Sequence, residues 1–246
     1  MTLRVLLLLA LAVLAAGAAA AQPSVQLRVG MDHYRLSDLR ASQTQLQSEF
    51  RQQGVRIEPL SAFPAHPSLR LDAAVPLWGV HRGGISVGLG STGARSHYAD
   101  YSGEVRADWV ARRRSVGVFI EQDVLRQRDV TGALALHLGA DFARVTYDAE
   151  VRVGNEREAY QQEVAGRGFY LQPELTAERP LGRGVFVRAG VGYGVTLQGG
   201  FGLFPRAATY RPEWTGWRVG ATFGLRAPQR AVPAGPLPED FANPTP

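Results

Sequence analysis

The 246-residue chain has no cysteine and no lysine, and all 27 of its basic side chains are arginine. The absence of cysteine excludes a disulfide framework, a thiolate zinc or iron–sulfur site, a cysteine nucleophile and a lipidated N-terminal cysteine. The five histidines, His33, His66, His81, His97 and His137, form no HExxH, no HxH and no close metal pair. No metal and no cofactor is therefore expected. GxSxG, P-loop and Rossmann signatures are also missing, and Gly190-x-Gly-x-Gly reads as strand periodicity. Beyond the first 21 residues no apolar run is long enough for a transmembrane helix. Charged residues are only 20% of the chain while glycine is abundant at 28, which argues against disorder over most of it. The net charge of +5 raises the question of an anionic polymer. The arginines are spread among acids rather than clustered, so nucleic acid is not an expected partner.

The two ends differ from the middle. Met1–Ala21 carries Arg4, an apolar run over Val5–Leu14 and a stretch of small residues before Gln22. This is the pattern of a cleaved Sec signal peptide. The last twenty residues, 227–246, hold Pro228, Pro233, Pro236, Pro238, Pro244 and Pro246 and read as an extended, disordered tail. The barrel described next is expected over 22–226.

Between these ends the dominant period is two. Val25, Leu27, Val29 and Met31 alternate with polar or small residues, and so do Leu69–Leu77, Val105–Ala111, Val145–Val153, Phe169–Leu175, Val185–Val195 and Trp217–Leu225. Weaker alternation covers Ile85–Gly90, Val116–Ile120 and Leu134–Leu138. Each segment reads as a strand with one apolar face. The apolar positions are even at Leu134–Leu138 and odd from Val145, so the phase flips across Gly139–Ala143, where a tight turn or a bulge is expected. The expected fold is an all-β, up-and-down antiparallel transmembrane barrel of about ten strands, or eight if weak strands merge. In the ten-strand parsing short links (Pro76–Gly84, Arg112–Ser115, Gly139–Asp141, Arg179–Gly184) alternate with long ones (Arg35–Pro67, Ser91–Asp100, Gln122–Val130, Gly154–Arg167, Gln198–Thr215). Ser37–Gln53 breaks the β pattern. Leu39, Gln43, Leu46 and Phe50 fall at helical spacing between Ser37 as N-cap and Gly54 as C′ residue, which predicts a short amphipathic helix in the first long loop.

Periodicity alone does not say which face points inward. Opposite charges share the polar face, which suits a narrow lumen where they neutralise one another. The expected lumen network is Arg70, Asp72, Glu104, Arg106, Asp108, Arg144, Asp148, Glu150, Arg152, Glu174, Arg188 and Arg218, with His137 packed among them. Gly190, Gly192 and Gly194 leave room there for arginine. Trp109, Tyr147, Phe169, Trp217 and Phe223 are expected on the apolar face as an interfacial girdle. A lumen of this width, filled by ion pairs, is expected to conduct little, so any porin-like path is narrow.

Over Val25–Arg226 the chain resembles the small outer-membrane β-barrels of Gram-negative bacteria, especially barrel-only proteins common in Bacteroidota-like lineages. The sharpest match is Arg218-Val-Gly-Ala-Thr-Phe-Gly-Leu225, where Arg218, Gly220, Phe223 and Leu225 are similar to the last-strand signal read by the barrel-assembly machinery. The resemblance implies an integral protein of the cell outer membrane, with outer-membrane lipid and the assembly machinery as partners. Its role is then structural, adhesive or partner-binding, with the loop partner unnamed. Two alternatives stand beside this non-enzymatic reading. Barrel hydrolases related to the family, proteases and lipid-modifying enzymes, use a rim histidine with a carboxylate or serine, and here Asp32-His33 and Ser96-His97 with Asp100 are the candidates. A soluble periplasmic barrel binding an apolar ligand would instead keep its apolar face inside.

Overall fold

The computed structural model describes residues 22–52, 54, 57–77, 81–101, 103–197 and 213–227. The segment expected as signal peptide, and the expected Pro-rich tail beyond Ala227, lie outside them. Nine strands are present among these residues: β1 Ser24–Tyr34, β2 Glu58–Ala62, β3 His66–Pro76, β4 His81–Ala99, β5 Gly103–Gln127, β6 Val130–Val153, β7 Glu156–Gly182, β8 Val185–Leu197 and β9 Gly216–Arg226. All pairings are antiparallel, and the ring runs β1-β3-β4-β5-β6-β7-β8-β9. It closes from Ser24↔Arg226 to Tyr34↔Gly216. The barrel therefore has eight strands, and short β2 only adds to the far end of β4.

Merged strands account for eight rather than ten. Val105–Ala111 and Val116–Ile120 both lie in β5, and Leu134–Leu138 and Val145–Val153 both lie in β6. Arg112–Ser115, Gly139–Asp141 and most of Ser91–Asp100 are strand interior rather than links. β5 and β6 pair without a register shift from Gly103↔Val153 to Asp123↔Ala133, so Gly139–Ala143 holds neither a turn nor a bulge. Gln122–Val130 and Gly154–Arg167 shrink to the two-residue turns at 128–129 and 154–155, the second relying on Gly154 at φ +59.

What flips across Gly139–Ala143 is the chemistry of the faces. Along β6, Ala133, Ala135, His137, Asp141, Ala143 and Val145 are all buried, one face throughout, while Leu134, Leu136, Leu138 and Phe142 are exposed. The lower half is apolar outside and polar inside. The upper half is polar outside and apolar inside.

Strand length explains the inversion. β1, β3 and β9 have 11 residues each, which is what an apolar bilayer core requires. β5, β6 and β7 have 25, 24 and 27 residues. At about 3.3 Å per residue they continue for roughly 45–50 Å of strand beyond that length. β4, at 19 residues, joins them part of the way, so one side of the barrel continues as a raised wall. The turns at 128–129 and 183–184 and both ends of the described barrel lie at the opposite rim, while the 154–155 turn tips the wall.

The helix, α1 (Ser37–Gln52), forms where expected, and Gly54 beyond it has φ +85. Leu39 and Gln43 are its buried residues. Leu39 joins Tyr34, Leu36, Phe63, Trp109, Ala111, Ala143, Val145 and Trp214 in an apolar core above the lumen, with Leu46 and Tyr147 packed against it. The inner face of the wall is thus covered as in a water-soluble protein.

Candidate functional site

The lower outer face is a continuous apolar surface. Val25, Leu27, Val29 and Met31 on β1, Leu69 and Leu71 on β3, Val118 and Ile120 on β5, Leu175 on β7, Val187 and Val191 on β8, and Phe223 and Leu225 on β9 are exposed. A soluble barrel with an apolar ligand cavity needs the reverse arrangement.

The lumen behind this surface is filled by ion pairs in two tiers. In the middle tier Glu174 of β7 is held by Arg28, which bonds it directly, and by Arg70, whose NH1 donates to Oε2 at 2.8 Å. Arg70 also donates from Nε to Asp72 at 3.0 Å, and His137 lies 3.7 Å from Glu174 while stacking on Phe119. In the tier nearer the short turns, Arg188 pairs with Glu121 and, at 2.6 Å, with Glu178. Arg82 bridges Glu121 at 2.7 Å and Asp123 at 2.8 Å, and Arg226 reaches Glu178. Inward glycines make the room. A Cβ on Gly190 would lie 2.7 Å from the Glu174 carboxylate, and one on Gly220 would lie 2.6 Å from Arg28 Nε.

Above these tiers the mouth is sealed. Arg113 donates to Asp141 at 2.8 Å from Nε and to the Tyr34 hydroxyl at 2.7 Å, and its guanidinium lies within 6 Å of the Tyr34, Tyr170 and Trp214 rings. Arg218 lies 3.8 Å from Asp32 and donates to Gln172 at 2.5 Å. The space left among Arg28, Arg70, Arg113 and Arg218 is about 20 Å³, enough for one water and no more.

The expected lumen residues divide by height. Arg70, Asp72, Glu174, Arg188 and Arg218 point inward and are brought together as described. Glu104, Arg106, Asp108, Arg144, Asp148, Glu150 and Arg152 do not join them. They share the outward parity of β5 and β6 and stand on the wall, where the polar face is the water-facing one. There Asp108 accepts from Arg95 at 2.6 Å and from Arg106, Arg144 pairs with Glu163, and Arg157 near the tip pairs with Glu150. Partial burial would raise the Asp108 carboxyl, but the hydrogen bonds from Arg95 and Arg106 outweigh it and hold the group below its usual value. Trp109 and Tyr147 are likewise not girdle residues. They point inward and pack against each other in the upper core, with ring centroids 5.0 Å apart and planes tilted by 41°. On the outer face Tyr193 and Trp217 meet edge-to-face at 5.0 Å.

Sequence reading missed Arg28, Arg82, Arg113, Glu121, Asp141 and Glu178. A usable signal existed for two of them. Val116, Val118 and Ile120 face outward, so alternation puts Glu121 inside. The same parity makes Arg113 the inward member of Arg112-Arg113-Arg114.

The candidate rim residues fall on different faces of their strands. Asp32 is buried and accepts the Tyr34 hydroxyl at 2.5 Å, while neighbouring His33 points the other way. His97 contacts Glu104 at 2.9 Å on the outside of the wall. Ser96 is buried on the inside and accepts from Gln43 and Gln47 of α1. Asp100 accepts from Tyr98 and from the Gly103 backbone N–H. Among the described residues no group of three or more His, Asp or Glu could hold a metal ion. On the last strand Phe223 and Leu225 face outward, while Arg218 and Gly220 face the lumen.

No known protein family matches the chain, and no curated protein matches it. Among solved structures it is similar to Neisserial surface protein A, NspA, at 12% identity and a TM-score of 0.43, over 83% of this chain and 96% of that one. It is also similar to Ail, the attachment invasion locus protein of Yersinia pestis, at 10% identity and a TM-score of 0.37, over 84% of this chain and 99% of that one. The same values hold for Ail in complex with the heparin analogue sucrose octasulfate. The likeness is one of general outline.

Proposed function

We propose that this chain is a non-enzymatic barrel of the outer membrane, exported through Met1–Ala21, that presents its raised wall outside the cell for a structural, adhesive or partner-binding role. The observation that carries this reading is the sealed lumen: buried ion pairs fill it and α1 with its apolar core covers it. Passage of solutes is therefore not what the fold serves, and the wall is its largest displayed feature. The apolar lower belt supports membrane insertion. The 128–129 and 183–184 turns and both ends of the barrel share one rim, and the long β1–β3 connection with α1 stands at the other, which supports a periplasmic position for the first and an external one for the wall. The outward Phe223 and Leu225 on β9 fit recognition by the barrel-assembly machinery during insertion.

The test is fractionation together with surface labelling. The protein is expected to stay with the outer membrane after osmotic shock and to migrate heat-modifiably in detergent gels. An epitope inserted at the Gly154–Asn155 turn is expected to be labelled on intact cells. Release without detergent, or labelling only after permeabilisation, contradicts the reading.

A further inference from the structure

Four arginines stand on the outer face of the wall directly above the apolar belt. Cross-strand register defines their height. The uppermost belt row on β5–β6–β7 is Val116–Ala140–Phe169. The next outward row is Arg114–Phe142–Arg167, and the one above it is Arg112–Arg144–Ala165. Higher still the rows are Val110–Thr146–Glu163 and Asp108–Asp148–Gln161, where acids enter. The basic band is thus two rows deep, roughly 7 Å of strand, and lies where hydrocarbon gives way to headgroups.

Arg112 and Arg144 sit directly opposite one another, an arrangement that costs stability between like charges. Glu163 takes Arg144 at 3.2 Å, and no carboxylate pairs with Arg112 or Arg114 among the described residues. The wall's other outward charges are mostly balanced close by, as at Asp108 with Arg95 and Arg106. The four guanidinium groups rim one shallow depression lined by Phe142 and Ala165. Arginine in such a fork matches phosphate oxygens bidentately, and the exposed Phe142 ring offers an acyl chain an apolar contact at the same height.

We infer that Arg112, Arg114, Arg144 and Arg167 bind the phosphate groups of an anionic lipid in the leaflet on the wall side, anchoring the base of the wall at the headgroup level. This rests on the membrane-barrel reading. The occupant is lipid rather than a soluble polyanion because the band is continuous with the belt and does not extend up the wall, where acids are interspersed.

The test uses the full barrel in detergent micelles and in phosphatidylcholine nanodiscs. Insertion is checked first by flotation. Failure to insert overturns the membrane reading itself and is distinct from failure of the lipid site. Binding of a diphosphorylated glycolipid is then followed by native mass spectrometry, for the parent and for two double variants, Arg112→Gln/Arg144→Gln and Arg114→Gln/Arg167→Gln. Each is expected to bind the glycolipid roughly thirty-fold more weakly, while Arg152→Gln/Arg157→Gln high on the wall changes binding less than about twofold. The corresponding lysine pairs keep the charge and are expected to recover most of the binding, and if one glutamine pair fails to fold the other glutamine pair carries the test. Equal binding by parent and quartet variants overturns the site, as does equal loss in the high-wall control. Binding of a sulfated oligosaccharide that depends on the quartet, without glycolipid binding, overturns the lipid assignment.

Discussion

Arg113 and Arg114 are consecutive residues that face opposite sides of one sheet. Arg113 is buried against Asp141 and three aromatic rings, and Arg114 stands outside beside Phe142, above the belt. The same alternation holds through the ring and separates two kinds of charge. Inward charges are paired and desolvated; outward charges begin where the apolar belt stops. Their energetic consequences differ accordingly.

Removing Glu174 leaves Arg28 and Arg70 without their shared carboxylate in a confined site. Glu174→Ala is expected to destabilise the barrel by about 3–5 kcal/mol, measured by urea unfolding in micelles. Glu104→Ala and Glu158→Ala, both on the wall's polar surface, are expected to change stability by less than about 1 kcal/mol. Equal costs would contradict the division of inner and outer charges.

Trp109→Ala removes a large ring from the core beneath α1. The local cost is expected to be about 3–5 kcal/mol. It is read by hydrogen exchange as lost protection in Ser37–Gln52, with β1 and β9 still protected. Uniform loss around the ring would mean that wall and barrel form one cooperative unit.

Gly224 faces the buried Phe186 ring, and a Cβ there would fall 2.1 Å from the ring carbon Cζ. Gly224→Ala is expected to cost about 1–3 kcal/mol by overpacking. Gly154→Ala meets nothing nearby, and its penalty comes instead from the left-handed backbone. Thermal unfolding followed by gel migration separates the two, because only Gly224→Ala should weaken the barrel itself.

Asp108 gives the wall a weak acid dependence. Its folded pKa lies below the usual value of about 3.9 because Arg95 and Arg106 hydrogen-bond to it against the opposing effect of partial burial. The contribution is complete above about pH 4 and is lost as pH falls through the folded pKa. Because both arginine partners are about half exposed to solvent, it is expected to be worth less than about 1 kcal/mol. Carboxyl NMR titration should show Asp108 below the unfolded value, and Asp108→Asn should remove that part of the acid dependence.

Conductance follows from the filled lumen. In planar bilayers the protein is expected to show no steady open state. A stable pore current would contradict the packing of Arg28, Arg70, Arg188 and their carboxylates.

The belt strands were legible because an apolar outer face and a charged lumen impose a clean period of two, as in Val25–Met31 and Trp217–Leu225. The helix was legible from the spacing of Leu39, Gln43 and Leu46. The wall was not, because β5 and β6 exchange the polarity of their two faces without turning. Leu138 and Val145 therefore looked like two strands, and Trp109 and Tyr147 were placed on the wrong face. Glu156–Gln162 is polar on both faces and gave no strand signal. Glu104 and Arg106 were assigned to the lumen for the same reason, since the polar face is inside only at belt height.

The central claim is that the apolar face of the lower strands touches lipid while the same parity higher up touches water. Because the chain lacks cysteine, single substitutions can place an environment-sensitive thiol label at chosen positions. In nanodiscs containing brominated lipid, labels at Leu136→Cys, Val118→Cys and Phe223→Cys are expected to be blue-shifted and quenched by the lipid. Labels at Arg106→Cys and Asp148→Cys, of the same parity but on the wall, are expected to be quenched by aqueous iodide and not by lipid. Iodide quenching at the lower positions, or lipid quenching at the upper ones, would contradict the claim.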